Sequence, residues 1–298
     1  MPPVPSSLLR VFPWALAAAA LALCLGRPAL ADDGDTPPPC AMPMAGALAD
    51  RPGTGRNTST GGSPCVADPG ETILETGYRR QTMTNADGQV VLTSVPLTFV
   101  RVGVARHFEL GIAPPVAESR SVSGNVPLDA ANGQADVVFA AKYRILDRQQ
   151  AQASVGVAYS PPTGTGEFTD RLPTYSASGN FALSITAQLS ISTSQTFGTA
   201  IGPGDNGQLH SFFVYTPSYT LAYALDGATT VLVQAALSSR QAPTLPSGDR
   251  NFFAVQRALG DRVALDAEYE VNAKPTLGAP QHAFGVGVVW IATKGRSR

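Results

Sequence analysis

The chain has 298 residues, of which only 14% are charged, and its formal net charge at pH 7 is −1. Soluble proteins carry about 25% charged residues. With no basic patch or tail, the charge pattern argues against a nucleic-acid partner. After residue 31 no apolar run approaches the ~18 residues of a helical membrane span. Low charge without long apolar runs favours a β-barrel, because lipid admits only helices and closed barrels.

The first 31 residues are predicted to be a secretory signal peptide. Arg10 supplies a positive n-region, and residues 11–25 form a short apolar stretch. The small residues of Ala29-Leu30-Ala31 predict cleavage near Ala31. An N-terminal membrane anchor is the alternative interpretation of the same residues.

Residues 32–70 are rich in Pro, Gly, Ser and Thr and predict an irregular segment, either periplasmic or folded into the mouth of a barrel. This segment contains Cys40 and Cys65, which an oxidising periplasm would allow to pair as a disulfide. Two unrelated thiols are the alternative. No His lies nearby, so we expect neither a metal site nor a cofactor.

From residue 71 onwards, apolar and polar residues alternate. Between residues 263 and 272, odd positions are Val, Leu, Ala, Tyr and Val, whereas even positions are Ala, Asp, Glu, Glu and Asn. Successive side chains of a strand point to opposite faces, so one face is apolar and the other acidic. About ten tilted residues cross a bilayer as a strand. Similar patterns predict about twelve strands, near 71–83, 90–104, 107–114, 134–146, 150–159, 173–185, 189–199, 210–225, 229–240, 250–259, 262–272 and 281–291.

The predicted connections alternate in length, which is typical of bacterial outer-membrane barrels with short periplasmic turns and longer outer loops. The short set lies at 105–106, 147–150, 186–188, 226–228 and 260–261, and the other set at 84–89, 115–133, 160–172, 200–209, 241–249 and 273–280. We therefore predict an all-β fold: an antiparallel, up-and-down transmembrane barrel over residues 71–291, followed by a C-terminal tail, 292–298.

The last strand ends in Gly285-Val286-Gly287-Val288-Val289-Trp290. This resembles the insertion signal of outer-membrane proteins, which implies the barrel-assembly machinery as a partner. The chain departs from that pattern because residues 291–298 follow the aromatic residue. We expect the mature protein in the bacterial outer membrane, in contact with its lipid; the pattern leaves the oligomeric state open.

The two-residue period also assigns faces. Large apolar residues such as Phe139, Val155 and Trp290 are predicted to face lipid. Charged residues of the opposite parity are predicted to line the lumen: Glu75, Arg79, Arg101, Glu109, Asp136, Lys142, Arg144, Asp266, Glu268 and Glu270. Strand 250–259 is ambiguous, because Arg257 shares a face with Phe253 and Val255.

Several short motifs resemble, in order and spacing, the outer-membrane family of the MetA-pathway of phenol degradation, whose members are often labelled "transporter". The matching stretches are 50–55, 71–78, 96–103, 108–110, 140–144 and 162–164. The resemblance covers roughly residues 50 to 291 and implies an outer-membrane barrel associated with aromatic-compound catabolism. The Cys-bearing insertion between Gly55 and Val66 departs from the family pattern.

Two functions follow as hypotheses. A charged constriction would select small solutes by sign and size, which indicates a passive channel, with aromatic or hydrophobic compounds as the solutes that the resemblance implies. The same charges, if paired, would fill a narrow barrel and hold its register, which indicates a closed barrel that acts through its loops or partners. For any single residue the two interpretations stay open.

An enzyme is the remote alternative. An outer-membrane phospholipase also has about twelve strands and uses a His–Ser pair on its lipid face. This chain contains His107, His210 and His282, but no Ser–His spacing marks a catalytic triad. We therefore predict no enzyme activity and no catalytic residue, and we interpret the three histidines as rim or loop residues.

Overall fold

A computed structural model describes residues 62–85, 87–125, 129–203, 208–239, 248–272 and 281–293. The predicted signal peptide, Cys40 and most of the tail lie outside these residues. The described part contains fifteen strands: β1 Thr72–Asn85, β2 Gly88–Ser94, β3 Phe99–Ala105, β4 Phe108–Ala113, β5 Ala117–Gly124, β6 Ala131–Gln134, β7 Val138–Asp147, β8 Ala151–Ser160, β9 Thr174–Ser184, β10 Leu189–Pro203, β11 Leu209–Ala224, β12 Thr229–Ser238, β13 Gly248–Ala258, β14 Val263–Asn272 and β15 His282–Thr293.

Twelve of these strands form a closed ring. In spatial order they are β1, β3, β4, β7, β8, β9, β10, β11, β12, β13, β14 and β15, and β15 pairs back with β1. The closing pair is antiparallel, with Ile73 opposite Ile291 and Arg79 opposite Gly285. Closure leaves no strand edge in the ring without a partner. The structure confirms the predicted closed, antiparallel, twelve-stranded transmembrane barrel.

Short and long connections lie at opposite ends of the ring. The end with the short turns (106–107, 148–150, 185–188, 225–228 and 259–262), where β1 begins and β15 ends, is called the turn end here. The opposite end, which carries the longer connections, is called the loop end. Of the described residues, none forms a helix long and apolar enough to cross a membrane.

One predicted loop is wrong for most of its length. Residues 115–133 contain β5 and part of β6, which form a four-segment extension at the loop end with β2 and the last part of β1. Short breaks join this extension to the ring: 95–98 connects β2 to β3, 114–116 connects β4 to β5, and 135–137 connects β6 to β7. Its sequence lacks strong apolar alternation, because a strand beyond the bilayer needs no apolar outer face.

The outer face of the ring is apolar and exposed. On β8, Val155 and Val157 are 45% and 55% exposed, whereas the flanking side chains of Ser154 and Ala158 are buried inside the ring. Aromatic residues on this face stack in pairs, such as Tyr159 on Tyr175 with ring centroids 5.1 Å apart. Arg257 lies on the outer face beside the turn end and donates to Thr229 Oγ1 at 2.9 Å. Such an apolar outer surface is stable in lipid, where burial against a protein core is not required.

Candidate functional site: the interior of the barrel

The interior has two chemically different walls. Strands β8 to β12 contain no Asp, Glu, Lys or Arg, and their inward side chains are mostly small or uncharged and polar, such as Ser154, Ser178, Asn180, Ser194 and Gln234. All ten charged residues expected in the lumen lie on the remaining strands or on the connection before β7. We name these two parts the polar wall and the charged wall.

The strongest charge cluster joins β1, β3, β4 and β7. Arg101 Nη2 lies 2.9 Å from Glu109 Oε2, and its Nε donates to Oε1 of the same carboxylate at 3.1 Å. Arg101 also lies 3.3 Å from Glu75, and Lys142 lies 3.6 Å from Glu109. Because these side chains are almost completely buried, each charge depends on its partner for compensation.

A second cluster connects strands that are not neighbours in the ring. Arg79 on β1 forms an ion pair with Glu270 on β14, and Arg250 on β13 lies 3.7 Å from the same carboxylate. Strand β15 separates β1 from β14, and its inward residues there, Ala283 and Gly285, are small. Long side chains therefore reach each other across β15.

Gly285 has a related role beside β14. A Cβ at this position would stand 2.7 Å from Glu268 Oε1 and 2.8 Å from its Cγ, so the Glu268 side chain lies over the glycine. The paired residue of Asp266 is also a glycine, Gly287. These glycines make room for the acidic row on β14, a role separate from the insertion signal that the sequence suggests.

Arg144 and Asp136 lie at opposite ends of β7 and have local partners. Arg144 Nη2 lies 3.3 Å from Asp147 at the turn end, and its Nε donates to His107 Nδ1 at 3.1 Å. Asp136 precedes β7 and accepts hydrogen bonds from loop 161–173, described below. The structure shows neither residue in contact with the β14 carboxylates.

The carboxylate of Asp136 holds loop 161–173 at the loop end. Its Oδ1 accepts from Gly164 N at 2.6 Å and from Thr169 Oγ1 at 2.9 Å, and its Oδ2 accepts from Asp170 N at 2.8 Å. Partial burial, and next the nearby Asp136 carboxylate, raise the pKa of Asp170, although this side chain keeps an exposed surface. The loop is therefore organised around one half-buried carboxylate.

The N-terminal segment enters the interior. Residues 62–67 have no regular secondary structure and are buried, and their backbone contacts the charged wall. Lys142 Nζ donates to the carbonyl oxygens of Ser63 at 3.1 Å and Cys65 at 3.3 Å. Arg101 Nη2 donates to Cys65 O at 2.9 Å, and Ala67 N donates to Glu109 Oε2 at 2.7 Å.

Cys65 itself is disulfide-bonded. Cys40 lies outside the described residues, so the Cys40–Cys65 pairing stays a prediction. Within the described residues no group of His, Cys, Asp and Glu has the arrangement of a metal site.

Sequence reasoning missed three parts of this interior. The lack of charge on β8 to β12 is visible in the sequence: between Arg148 and Arg240 every charged residue lies in a predicted connection (Glu167, Asp170, Arg171, Asp205 and Asp226), and a charge count strand by strand would have found it. Arg250 was not predicted to face the lumen, because the sequence pattern of its strand does not assign the two faces. The backbone carbonyls of residues 63 and 65 carry no sequence signal, because every residue has the same carbonyl.

No protein-family model and no curated protein matches this chain. Among solved structures, the NanC porin is similar at 14% identity and a TM-score of 0.47, over 74% of this chain and 98% of that chain. The KdgM porin is similar at 12% identity and a TM-score of 0.47, over 74% and 99%. The translocator domain of the autotransporter NalP from Neisseria meningitidis has 10% identity and a TM-score of 0.44, over 74% and 87%. The barrel fold assigned to this chain depends on its own strand pairing.

Proposed function

We propose that this protein is an outer-membrane channel through which small solutes pass passively. The observation that carries the proposal is the polar wall: inward residues such as Ser154, Ser178 and Ser194 are small hydroxyls inside a closed ring. These hydroxyls are 1–5% exposed, so the polar wall is covered in this structure. Small polar groups facing a charged wall are the lining that a water-filled path requires when the interior opens.

We propose aromatic or hydrophobic catabolic compounds as the solutes, in keeping with the resemblance to the MetA-pathway family. Two inward aromatic rings support this choice. Phe252 on β13 and Phe99 on β3 are 1% and 4% exposed, and the Phe99 ring lies over Gly111, where a Cβ would stand 2.4 Å from Cζ. Both rings are covered in this structure, and they would give an apolar solute a contact surface on an otherwise polar path when the interior opens. The outer-membrane lipid and the barrel-assembly machinery are the partners that this location requires.

The second candidate function is a closed barrel that acts through its loops or partners. The segment 62–67 inside the ring and the pairing of Arg101 with Glu75 and Glu109 favour it, because both reduce the free bore. An enzyme has no such support: the described parts of the chain place His107 beside Arg144 and Asp147 rather than beside a serine nucleophile.

Reconstitution tests the first proposal. The purified mature protein is inserted into planar bilayers, and its conductance is compared with that of heat-denatured protein at equal concentration. A channel gives discrete conductance steps, and liposomes containing the protein take up members of a panel of phenols, alkanes and sugars. Absence of both conductance and uptake, in the wild-type protein and in a variant whose segment 62–67 is released from the interior, would exclude the channel and favour the closed barrel.

A further inference from the structure

We propose that residues 62–68 are a plug that narrows the bore at the turn end. We also propose that Gly103, which lacks a side chain, leaves the space in which the plug crosses β3 of the barrel wall. This inference rests on the proposed channel function, because a plug controls passage only where a path exists. It adds the wall residues that hold the plug in place and a substitution, Gly103→Ala, that should displace it.

On one side, the plug is held by charged side chains that bind its backbone. Lys142 and Arg101 donate to its carbonyls, and Glu109 accepts from the Ala67 N–H. N–H groups of the wall therefore meet backbone carbonyls of the plug, and a carboxylate of the wall meets a backbone N–H. Burial of backbone polar groups inside the ring is thereby compensated.

The other contact of the plug with the wall is apolar. Ala67 belongs to a cluster of buried residues with Ile73, Leu232, Ala254, Ala264, Val289 and Ile291. Its members other than Ala67 lie on the consecutive strands β1, β15, β14, β13 and β12, so Ala67 packs at one end of an apolar row along the inner wall. Residues 62–67 are buried inside the ring, and the segment therefore occupies part of the bore.

Gly103 explains how the segment reaches this position. Residues 67 and 68 cross β3 so closely that a Cβ on Gly103 would stand 2.0 Å from Asp68 O and 2.6 Å from Ala67 O. The crossing is fixed by two backbone bonds: Gly70 N donates to Gly103 O at 2.8 Å, and Gly103 N donates to Glu71 O at 2.9 Å. The three atoms nearest to such a Cβ are all backbone atoms, so a side chain at 103 must displace the segment.

The test is Gly103→Ala in the full-length mature protein, which changes neither charge nor polarity. Gly179→Ala is the matched control, because its Cβ would meet no atom within 4 Å. Hydrogen exchange at the amides of residues 65 and 67 reports the plug, and planar-bilayer conductance reports the path. Lys142→Met, which removes a donor to two plug carbonyls without steric change, is the second variant.

We expect slow exchange at residue 67 in the wild-type protein and in Gly179→Ala, and exchange faster by about tenfold or more in Gly103→Ala. Conductance should rise in the same variant, and Lys142→Met should change both readouts in the same direction. Fast exchange in the wild type overturns the plug, as does unchanged conductance in a Gly103→Ala protein whose segment exchanges rapidly.

The two proposals fail separately. A wild-type protein that conducts, with variants that conduct equally, keeps the channel and overturns the plug. A wild-type protein that is silent while Gly103→Ala conducts supports both the channel and the plug. If neither protein conducts although the segment is released, the channel function fails, and the plug as a control of passage fails with it.

Discussion

Arg101 and Glu109 face each other inside the barrel wall, and the guanidinium engages both oxygens of the carboxylate through Nε and Nη2, with Nη2 2.9 Å from Oε2. Arg101 is 1% exposed and Glu109 is 3% exposed. The pair joins β3 to β4 and also contacts the segment 62–67. One interaction therefore contributes to both the stability of the wall and the position of the N-terminal segment.

Removing Arg101 should destabilise the barrel strongly. Arg101→Met leaves the buried Glu75 and Glu109 without their main counter-charge, which we expect to cost about 3–5 kcal/mol. The midpoint of urea unfolding in detergent measures the effect. Arg106→Met, in the exposed turn of the same hairpin, is the control and should change the midpoint little. Adding Glu109→Gln to Arg101→Met should restore part of the loss, and a larger loss in the double variant would contradict the pairing.

The acidic row on β14 should set the sign of ion selectivity. Replacing Asp266 and Glu268 by Lys changes the lining by four charge units, and the reversal potential in a KCl gradient should move toward anions. Asp261→Lys, in the exposed turn before β14, is the control for a general change of surface charge. Unchanged selectivity in the double variant would show that these carboxylates do not line the path.

Loop 161–173 should depend on Asp136. Asp136→Ala removes the acceptor of three hydrogen bonds, and we expect a local loss of about 2–4 kcal/mol in loop docking without loss of the barrel. Trypsin cleavage after the exposed Arg171 measures the docking. Asp129→Ala, in the neighbouring connection, is the control. Equal cleavage of Asp136→Ala and wild type would mean that the loop is held by other contacts.

Docking of the same loop should weaken as the pH rises. Partial burial and the neighbouring Asp136 raise the pKa of Asp170, so the docked loop holds this proton more tightly than the free loop does. The stability of docking is therefore highest below the ordinary aspartate range and falls as the pH rises through the raised pKa. Hydrogen exchange of residues 164–170, corrected for the intrinsic effect of pH, measures it.

Asp170→Asn separates this effect from other titrations. The amide cannot ionise, so docking in the variant should be tighter than in the wild type at pH 7 and nearly independent of pH between 4 and 7 by the same linkage argument. The effect should be small, because Asp170 keeps contact with solvent. A variant that retains the full pH dependence would assign the dependence to another group.

The sequence predicted the ring well because its signal is local. The alternation in Val263–Asn272 and the turn lengths each depend on a few adjacent residues, and the twelve predicted strands correspond to the strands of the closed ring. The prediction was wrong at 115–133, where the strands continue beyond the apolar band. There the pairing of β2 with β5, between residues far apart in sequence, decides the structure.

By itself the sequence determined the number of strands in the ring, their antiparallel order and the parity that turns Glu75, Arg101 and Glu268 away from the apolar face, since a strand has a period of two residues whatever its partners. Only the tertiary structure decided which charges meet, because ring closure brings Arg79 to Glu270 across β15, and the register of β3 against β1 and β4 brings Arg101 to Glu75 and Glu109. It also decided that an irregular segment crosses Gly103 into the bore. That contact is made by backbone atoms of residues 67 and 68 at a glycine, where no side chain intervenes. No local pattern of residues specifies such a contact.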